Sequence, residues 1–266
     1  MSPKNRIMNN NYHTHMYLCR HAIGDVQDYV EEAIRLGFKT LGMSDHAPFK
    51  ELKDRSVRMV PSDFPLYLQK CLDAREKYKN QIQLHIGLEI EYFEDHDEIY
   101  KDWLTKVDYL VLGQHYISDP NGRNNLRSSY DLAKKNLTKY VDMVIEAMKT
   151  KYFLFLAHPD LMLYSVSKFD SFIEEESRRL IQAAVDTNTP LEINANGIRR
   201  GTYMMHEGQR YIYPRLEFWK LVKEMGGKVI ISSDAHRPEN LYDDVVEEAY
   251  KFASQIGIEV EEELMI

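Results

Sequence analysis

Cysteine is nearly absent: the chain has two, Cys19 and Cys71, in no CxxC pair, which excludes a disulfide framework and agrees with a reducing compartment. No apolar run approaches the ~20 residues that span a bilayer. The opening MSPKNRIMNNN also lacks the apolar stretch of a secretory signal. A cytoplasmic protein without a membrane partner is expected. Positive charge is in deficit as well, with 34 Lys and Arg against 42 Asp and Glu and a formal net charge of -8. A phosphate backbone needs a basic footprint that such a chain does not offer, so no nucleic-acid partner is expected. Linkers, low-complexity tracts and fixed-period repeats are missing too. The 266 residues are therefore read as one domain, 1–266, whose 44% hydrophobic content suffices for a large core.

What the sequence does contain is an alternation. Short apolar runs (a weak RIMNNNYHTH, then KTLGMSDH, IQLHIGLEIEY, VDYLVLGQH, YFLFLAHPD, TPLEINANG and GKVIISSDAH) are separated by amphipathic stretches at 25–36, 62–78, 94–105, 129–149, 170–187, 214–225 and 243–256. Ser62 and Asp170 read as helix N-caps, Pro214 as a first-turn residue, and Gly226-Gly227 and Gly257 as stops. Seven strands alternating with helices imply an α/β fold with parallel pairing through right-handed crossovers.

Polar residues sit at particular places in these runs. His46, Glu89, His115, His158, Asp234 and His236 follow or end apolar runs, which places them at the C-terminal ends of the strands, where barrels of this connectivity carry their chemistry. His13 and His15 are two apart, so on an extended segment both rings face one way; Asp234 and His236 repeat the device in the last unit. Closing the barrel makes the first and last strands neighbours and brings the two pairs together. A single histidine at a strand end is more often a satisfied polar residue than a ligand. Counting His21, six residues past His15, seven of ten histidines, with two carboxylates, form a cluster that is costly to desolvate without a cation. The donor types suit zinc, manganese or iron.

Other residues carry plainer readings. His85 lies deeper in its strand and reads as a core or supporting residue. His96 and His206 read as solvated loop residues, Cys19 as packing, the tyrosines as amphipathic core and rim, and the acidic EVEEELMI as a solvated end. Seven imidazoles and two carboxylates exceed what one ion can use, so two or three are required, with Glu89 able to bridge through its two oxygens. Divalent ions outweigh two carboxylates, which lets an acidic protein present a local trap for a small phosphorylated substrate.

The motifs HTH, the histidine of CRHA, SDH, GLE, GQH, AHPD and the terminal SDAH resemble, in type and order, the polymerase and histidinol phosphatase (PHP) family. HTHMYLCRHA, GLEIEY, GQHY and NGIRRG are similar to its histidinol-phosphate phosphatase branch. The resemblance implies a distorted (β/α)7 barrel and a centre of three divalent metal ions. His13, His15, Glu89 and Asp234 would hold one ion. Glu89, His115 and His158 would hold a second, and His21, His46 and His236 the third.

It further implies hydrolysis of L-histidinol phosphate in histidine biosynthesis, by a metal-bridging hydroxide attacking phosphorus, with Glu89 in the catalytic centre. For this reaction Asp160, two residues past His158, is the candidate for proton handling and substrate contact. Arg199 is the candidate phosphate clamp, with Arg200 its alternative, because a guanidinium can hold two phosphate oxygens; Tyr116 is a candidate pocket wall. Rival readings are a phosphoesterase for nucleotides or other small phosphomonoesters, an amidohydrolase, and a noncatalytic metal-binding protein.

Overall fold

The computed structural model describes residues 8–49, 52, 55–117, 126–127, 134–205 and 208–266. In chain order the strands are β1 (Asn10–Asn11), β2 (Thr40–Met43), β3 (Gln83–Ile90), β4 (Tyr109–Leu112), β5 (Tyr116–Ile117), β6 (Leu126–Arg127), β7 (Phe153–Leu156), β8 (Leu191–Asn194), β9 (Thr202–Met205), β10 (Gly208–Tyr211) and β11 (Val229–Ser232). Seven of them form one sheet in the order β1-β2-β3-β4-β7-β8-β11, with every neighbouring pair parallel. The two sheet edges meet beyond the strand ends, where Thr14 bridges Ala235 in parallel register. There the His15 amide donates to the Ala235 carbonyl at 2.9 Å and the Ala235 amide to the His13 carbonyl at 3.3 Å. The Asn11 side chain accepts from the Ser233 amide at 2.8 Å. The result is the expected distorted (β/α)7 barrel, with the first strand, drawn from the least apolar run, reduced to two residues.

The crossovers are helices whose ends are set by local chemistry. Helix α1 (Val26–Leu36) starts on an Asp25 capping box with Asp28 and stops at left-handed Gly37. Helices α2 (Phe64–Tyr78), α3 (Asp97–Leu104), α4 (Lys134–Thr150), α5 (Ser171–Thr187), α6 (Ala195–Arg199), α7 (Leu216–Met225) and α8 (Asp244–Ile256) follow. Asp170 and Asp243 cap α5 and α8 by accepting from the amides three residues on. Ser62 is not a cap: it lies in the 3-10 turn Pro61–Asp63, and α2 begins at Phe64. The third helix is shorter than the pattern at 94–105, and Pro214 precedes α7, whose N-cap is Arg215. The stretch 129–133 and His206 lie outside the described residues. An antiparallel hairpin, β9 with β10, has no counterpart among the expected units.

Apolar residues separate into two main groups. The larger packs helices against strands. A smaller one, Tyr12, Tyr109, Val111, Phe155, Ala157 and Ile230, lies beneath the strand ends, and the Tyr109 hydroxyl donates to the Tyr12 carbonyl at 2.7 Å. Tyr109 needs glycine around it: a Cβ on Gly42 would lie 2.2 Å from its hydroxyl, and one on Gly87 2.5 Å from its ring. The acidic C-terminal segment keeps its carboxylates exposed, yet its backbone is tied down. The Glu261 amide donates to Val229 at 2.7 Å, Asn10 donates to the Glu262 carbonyl at 2.6 Å, and the Leu264 amide donates to the Tyr12 hydroxyl at 3.1 Å. Leu264 packs on the smaller apolar group.

Candidate metal centre

All nine side chains singled out from the sequence converge at the C-terminal mouth of the barrel. His13 and His15 leave the first strand on the segment that bridges to Ala235. Their Nε2 atoms reach Asp234 Oδ1 at 3.7 and 3.1 Å and Glu89 Oε2 at 3.3 and 3.4 Å. Glu89, in β3, also faces His46 Nδ1 at 3.0 Å, His158 Nε2 at 3.0 Å and His115 Nε2 at 3.6 Å. His21 follows a 3-10 turn, Tyr17–Cys19, and its Nε2 lies 2.8 Å from that of His236.

Local backbone geometry serves this convergence. His158 and Asp234 have φ of 33° and 45°, a left-handed conformation that non-glycine residues seldom adopt and that is held where the surroundings over-determine it. Gly113, just past β4, is required by space, since a Cβ there would lie 2.1 Å from Glu89 Oε1.

The rings are aimed by groups the sequence reading did not single out. Glu192, fully buried in β8, faces His13 Nδ1 at 2.8 Å and accepts from the His158 amide and the Asn194 side chain. Asp45 lies 3.4 Å from His15 Nδ1, and Glu91 lies 3.2 Å from His115 Nδ1. Main-chain carbonyls of Cys19 and Asp234 serve His21 and His236, both at 3.0 Å. A carboxylate or carbonyl behind an imidazole fixes the ring and makes it a better metal ligand. The signal was present in the sequence: Glu192 interrupts an apolar run, and Glu91 shares the two-residue parity of Glu89.

The electrostatics ask for cations. Burial pulls His13 down, but Glu192, Asp234 and Glu89 outweigh it and hold that imidazole well above its ordinary value. Burial likewise opposes His15, which Asp234 and Asp45 raise. His46 is driven well below its ordinary value by burial, and His236 down to about 3 for the same reason. Burial works to raise Glu89 and Asp234, yet the surrounding imidazoles hold both carboxyls well below the usual range.

The buried atoms His13 Nε2, His15 Nε2, His46 Nδ1 and Asp234 Oδ1 face charged neighbours but form no well-aligned hydrogen bond, and buried polar atoms left so are costly. Donor atoms of His13, His15 and Asp234 lie within 4.8 Å of one another, as do those of Glu89, His115 and His158, and those of His21, His46 and His236. A further group, His15, His46 and Glu89, takes one residue from each of these and links them, and together they fit a trinuclear divalent-metal centre.

The groups border a cavity of about 360 Å³ whose remaining wall includes Arg58, Tyr116, Leu161, Tyr164, Arg200 and Tyr213. Two expectations are corrected here. Arg199 does not face the cavity. Its Nε lies 2.8 Å from Asp243, and its terminal nitrogens donate to the Ser233 and Asn240 carbonyls and to Asp243. Asp160 is buried away from it, its Oδ2 accepting from the Arg215 amide at 2.6 Å and the Trp219 indole at 3.0 Å. Arg200 and Tyr116 are on the wall. His85 and His96 lie elsewhere, His85 facing Asp108 at 3.8 Å and His96 half-buried at the start of α3 beside Phe49 and Phe93.

A family model described as the PHP domain matches residues 11–196. Among known proteins the chain is 25% identical over 254 residues to a probable histidinol-phosphatase of Schizosaccharomyces pombe, covering 86% of this chain and 81% of that one. It is 23% identical over 260 residues to the histidinol-phosphatase of Bacillus subtilis, covering 85% and 92%. Among solved structures it is similar in fold to the histidinol phosphate phosphatase of Lactococcus lactis complexed with zinc, L-histidinol and phosphate. That likeness has a TM-score of 0.70 at 16% identity and covers 95% of both chains.

Proposed function

The chain belongs to the PHP domain family, and on that premise we propose that its substrate is L-histidinol phosphate, hydrolysed to L-histidinol and phosphate in histidine biosynthesis. The coarser statement, a metal-dependent phosphoesterase, follows from the family and the clustered donors. In this reading His13, His15, Glu89 and Asp234 hold one ion, Glu89, His115 and His158 a second, and His21, His46 and His236 the third. Bound ions supply positive charge for phosphate oxygens and a water of lowered pKa.

The chain's own residues position the ester. Arg200, in polar contact with the Tyr213 hydroxyl, lies on the cavity wall and takes the clamp role first considered for Arg199, since a guanidinium can grip two phosphate oxygens. Arg58 is committed to Glu91 through contacts of 2.7 and 3.1 Å and sits 5.8 Å from the Tyr116 ring centre; it stiffens the wall behind His115. Tyr116, Tyr164 and Leu161 offer faces against which a planar imidazole can pack.

The observation that carries the reading is that three donor groups and Arg200 border one cavity. The names of the fungal and bacterial relatives support the choice of ester. Phosphate release from L-histidinol phosphate and from nucleoside monophosphates, after loading with zinc, manganese or iron and with metal content determined on the same sample, tests it. Faster turnover of histidinol phosphate is expected. Preference for a nucleotide would overturn the substrate while leaving the reaction class in place, and metal-loaded protein inert to all esters would overturn both.

A further inference from the structure

The hairpin of β9 with β10 stands outside the repeating strand–helix units, and what it delivers is a tyrosine. The chain leaves α6 at Arg199, passes Arg200, runs out along β9 and returns along β10, with Thr202 opposite Tyr211 at the base. Two residues past that pair, Tyr213 is back beside Arg200. A Cβ on Gly197 would lie 2.2 Å from the Tyr213 ring and 2.4 Å from its carbonyl oxygen, so this close approach needs glycine. Leu161 and Ile212 pack with the ring, which meets His158 edge to face with centres 6.4 Å apart. Tyr213 is 3% exposed, whereas Arg200 is an exposed side chain. Both border the cavity.

This contact joins a fixed group to a loose one. An exposed arginine has many rotamers and loses that freedom when it grips a ligand. The Tyr213 hydroxyl oxygen accepts from the Arg200 guanidinium, and the packing of its ring holds that oxygen in place. Arg199, one residue earlier, is committed to Asp243 and to the Ser233 and Asn240 carbonyls. The two arginines therefore have separate anchors, one fastening α6 and the other set over the cavity. We propose that Tyr213 is a positioning residue that orders Arg200 for a phosphate group before the ligand arrives, with the hairpin as the means of bringing it there. The inference rests on the reading of Arg200 as the phosphate clamp. Because Tyr213 acts through Arg200, its hydroxyl matters to ligand binding only while that guanidinium is present.

The test takes the metal-loaded full chain and inorganic phosphate as the probe, titrated by calorimetry into wild type, Tyr213→Phe, Arg200→Ala and the double variant, with bound metal measured by mass spectrometry. Phenylalanine keeps the ring on Gly197 and removes only the hydroxyl. Phosphate affinity is expected to fall about tenfold in Tyr213→Phe, the size of a hydrogen bond to a charged group. It should fall further in Arg200→Ala, and no further still when the two changes are combined. Metal content should stay that of the wild type, and KM for the ester in Tyr213→Phe should rise by more than kcat falls. Wild-type phosphate affinity in Tyr213→Phe, losses that multiply in the double variant, or metal lost with the hydroxyl would overturn the proposal and leave the phosphatase reading standing. Arg200→Ala that binds phosphate as the wild type does, or wild type that binds none, would overturn the clamp reading and this proposal with it.

Discussion

Glu89 is where the donor groups meet, and its neighbours show how narrowly it is placed. Its two oxygens face five imidazoles, and Gly113 leaves it no slack. Glu89→Gln is expected to abolish phosphate release with the fold retained, checked by turnover alongside circular dichroism. Gly113→Ala is expected to do the same through displacement of Glu89, and unchanged turnover in that variant would contradict the packing argument. Glu192→Gln leaves every direct donor in place but weakens the hold on His13, so metal affinity should drop about 10- to 100-fold, read by titration.

Asp160 gives a prediction of another kind. Burial raises its carboxyl from 3.8 to about 6, against the lowering effect of the Arg215 amide and Trp219. A folded value above the unfolded one means its contribution to stability is full below about pH 4 and is lost as pH rises through about 6. The stability of Asp160→Asn relative to wild type should therefore climb by about 2–3 kcal/mol between pH 4 and 8, as read by denaturant titration. A difference flat in pH would contradict the burial argument.

At this scale every direct donor but His21 was legible because it interrupts or ends an apolar run, and His21 was placed by the resemblance alone. Arg199 and Arg200 were not distinguishable, since the last residue of a short helix and the one after it point different ways and only the position of Asp243 decides which is captured. Glu192 stood out as an acidic residue inside an apolar run, but the ring it aims lies 179 positions away and only the fold brings the two together.

Among the elements, seven strand–helix units were readable from periodicity, and the start of α5 at Asp170 from a side chain able to cap, whereas Ser62 caps nothing. The hairpin β9 with β10 was not, because its exposed strands carry no apolar pattern. Nor was the seat of the C-terminal segment, whose carboxylates are exposed as composition suggests while its amides and Leu264 bind the barrel. Deleting residues 261–266 removes those bonds and uncovers the apolar group under the mouth. A loss of about 1–3 kcal/mol is expected, seen as a fall of several degrees in Tm, and an unaltered Tm would show the segment to be ornamental.

For the whole molecule, closure is the event that makes the site. His13, His15, Asp234 and His236 come from opposite ends of the chain and meet because Thr14 bridges Ala235. Composition alone pointed away from an anion-binding protein, and the described residues contain no helix long and apolar enough to cross a membrane. The reversal lies in how cations would be concentrated at one mouth. Ions that bind only the folded chain stabilise it by mass action, about 2.7 kcal/mol at a hundredfold excess over Kd. Chelation should accordingly lower Tm, and re-addition of metal restore it.

The most direct test is anomalous diffraction from crystals of the metal-loaded protein, collected on either side of the metal's absorption edge. Three peaks are predicted, within bonding distance of the imidazoles and carboxylates that surround Glu89 and Asp234. A loaded, well-diffracting crystal with those side chains turned apart and no anomalous peak between them would contradict the account.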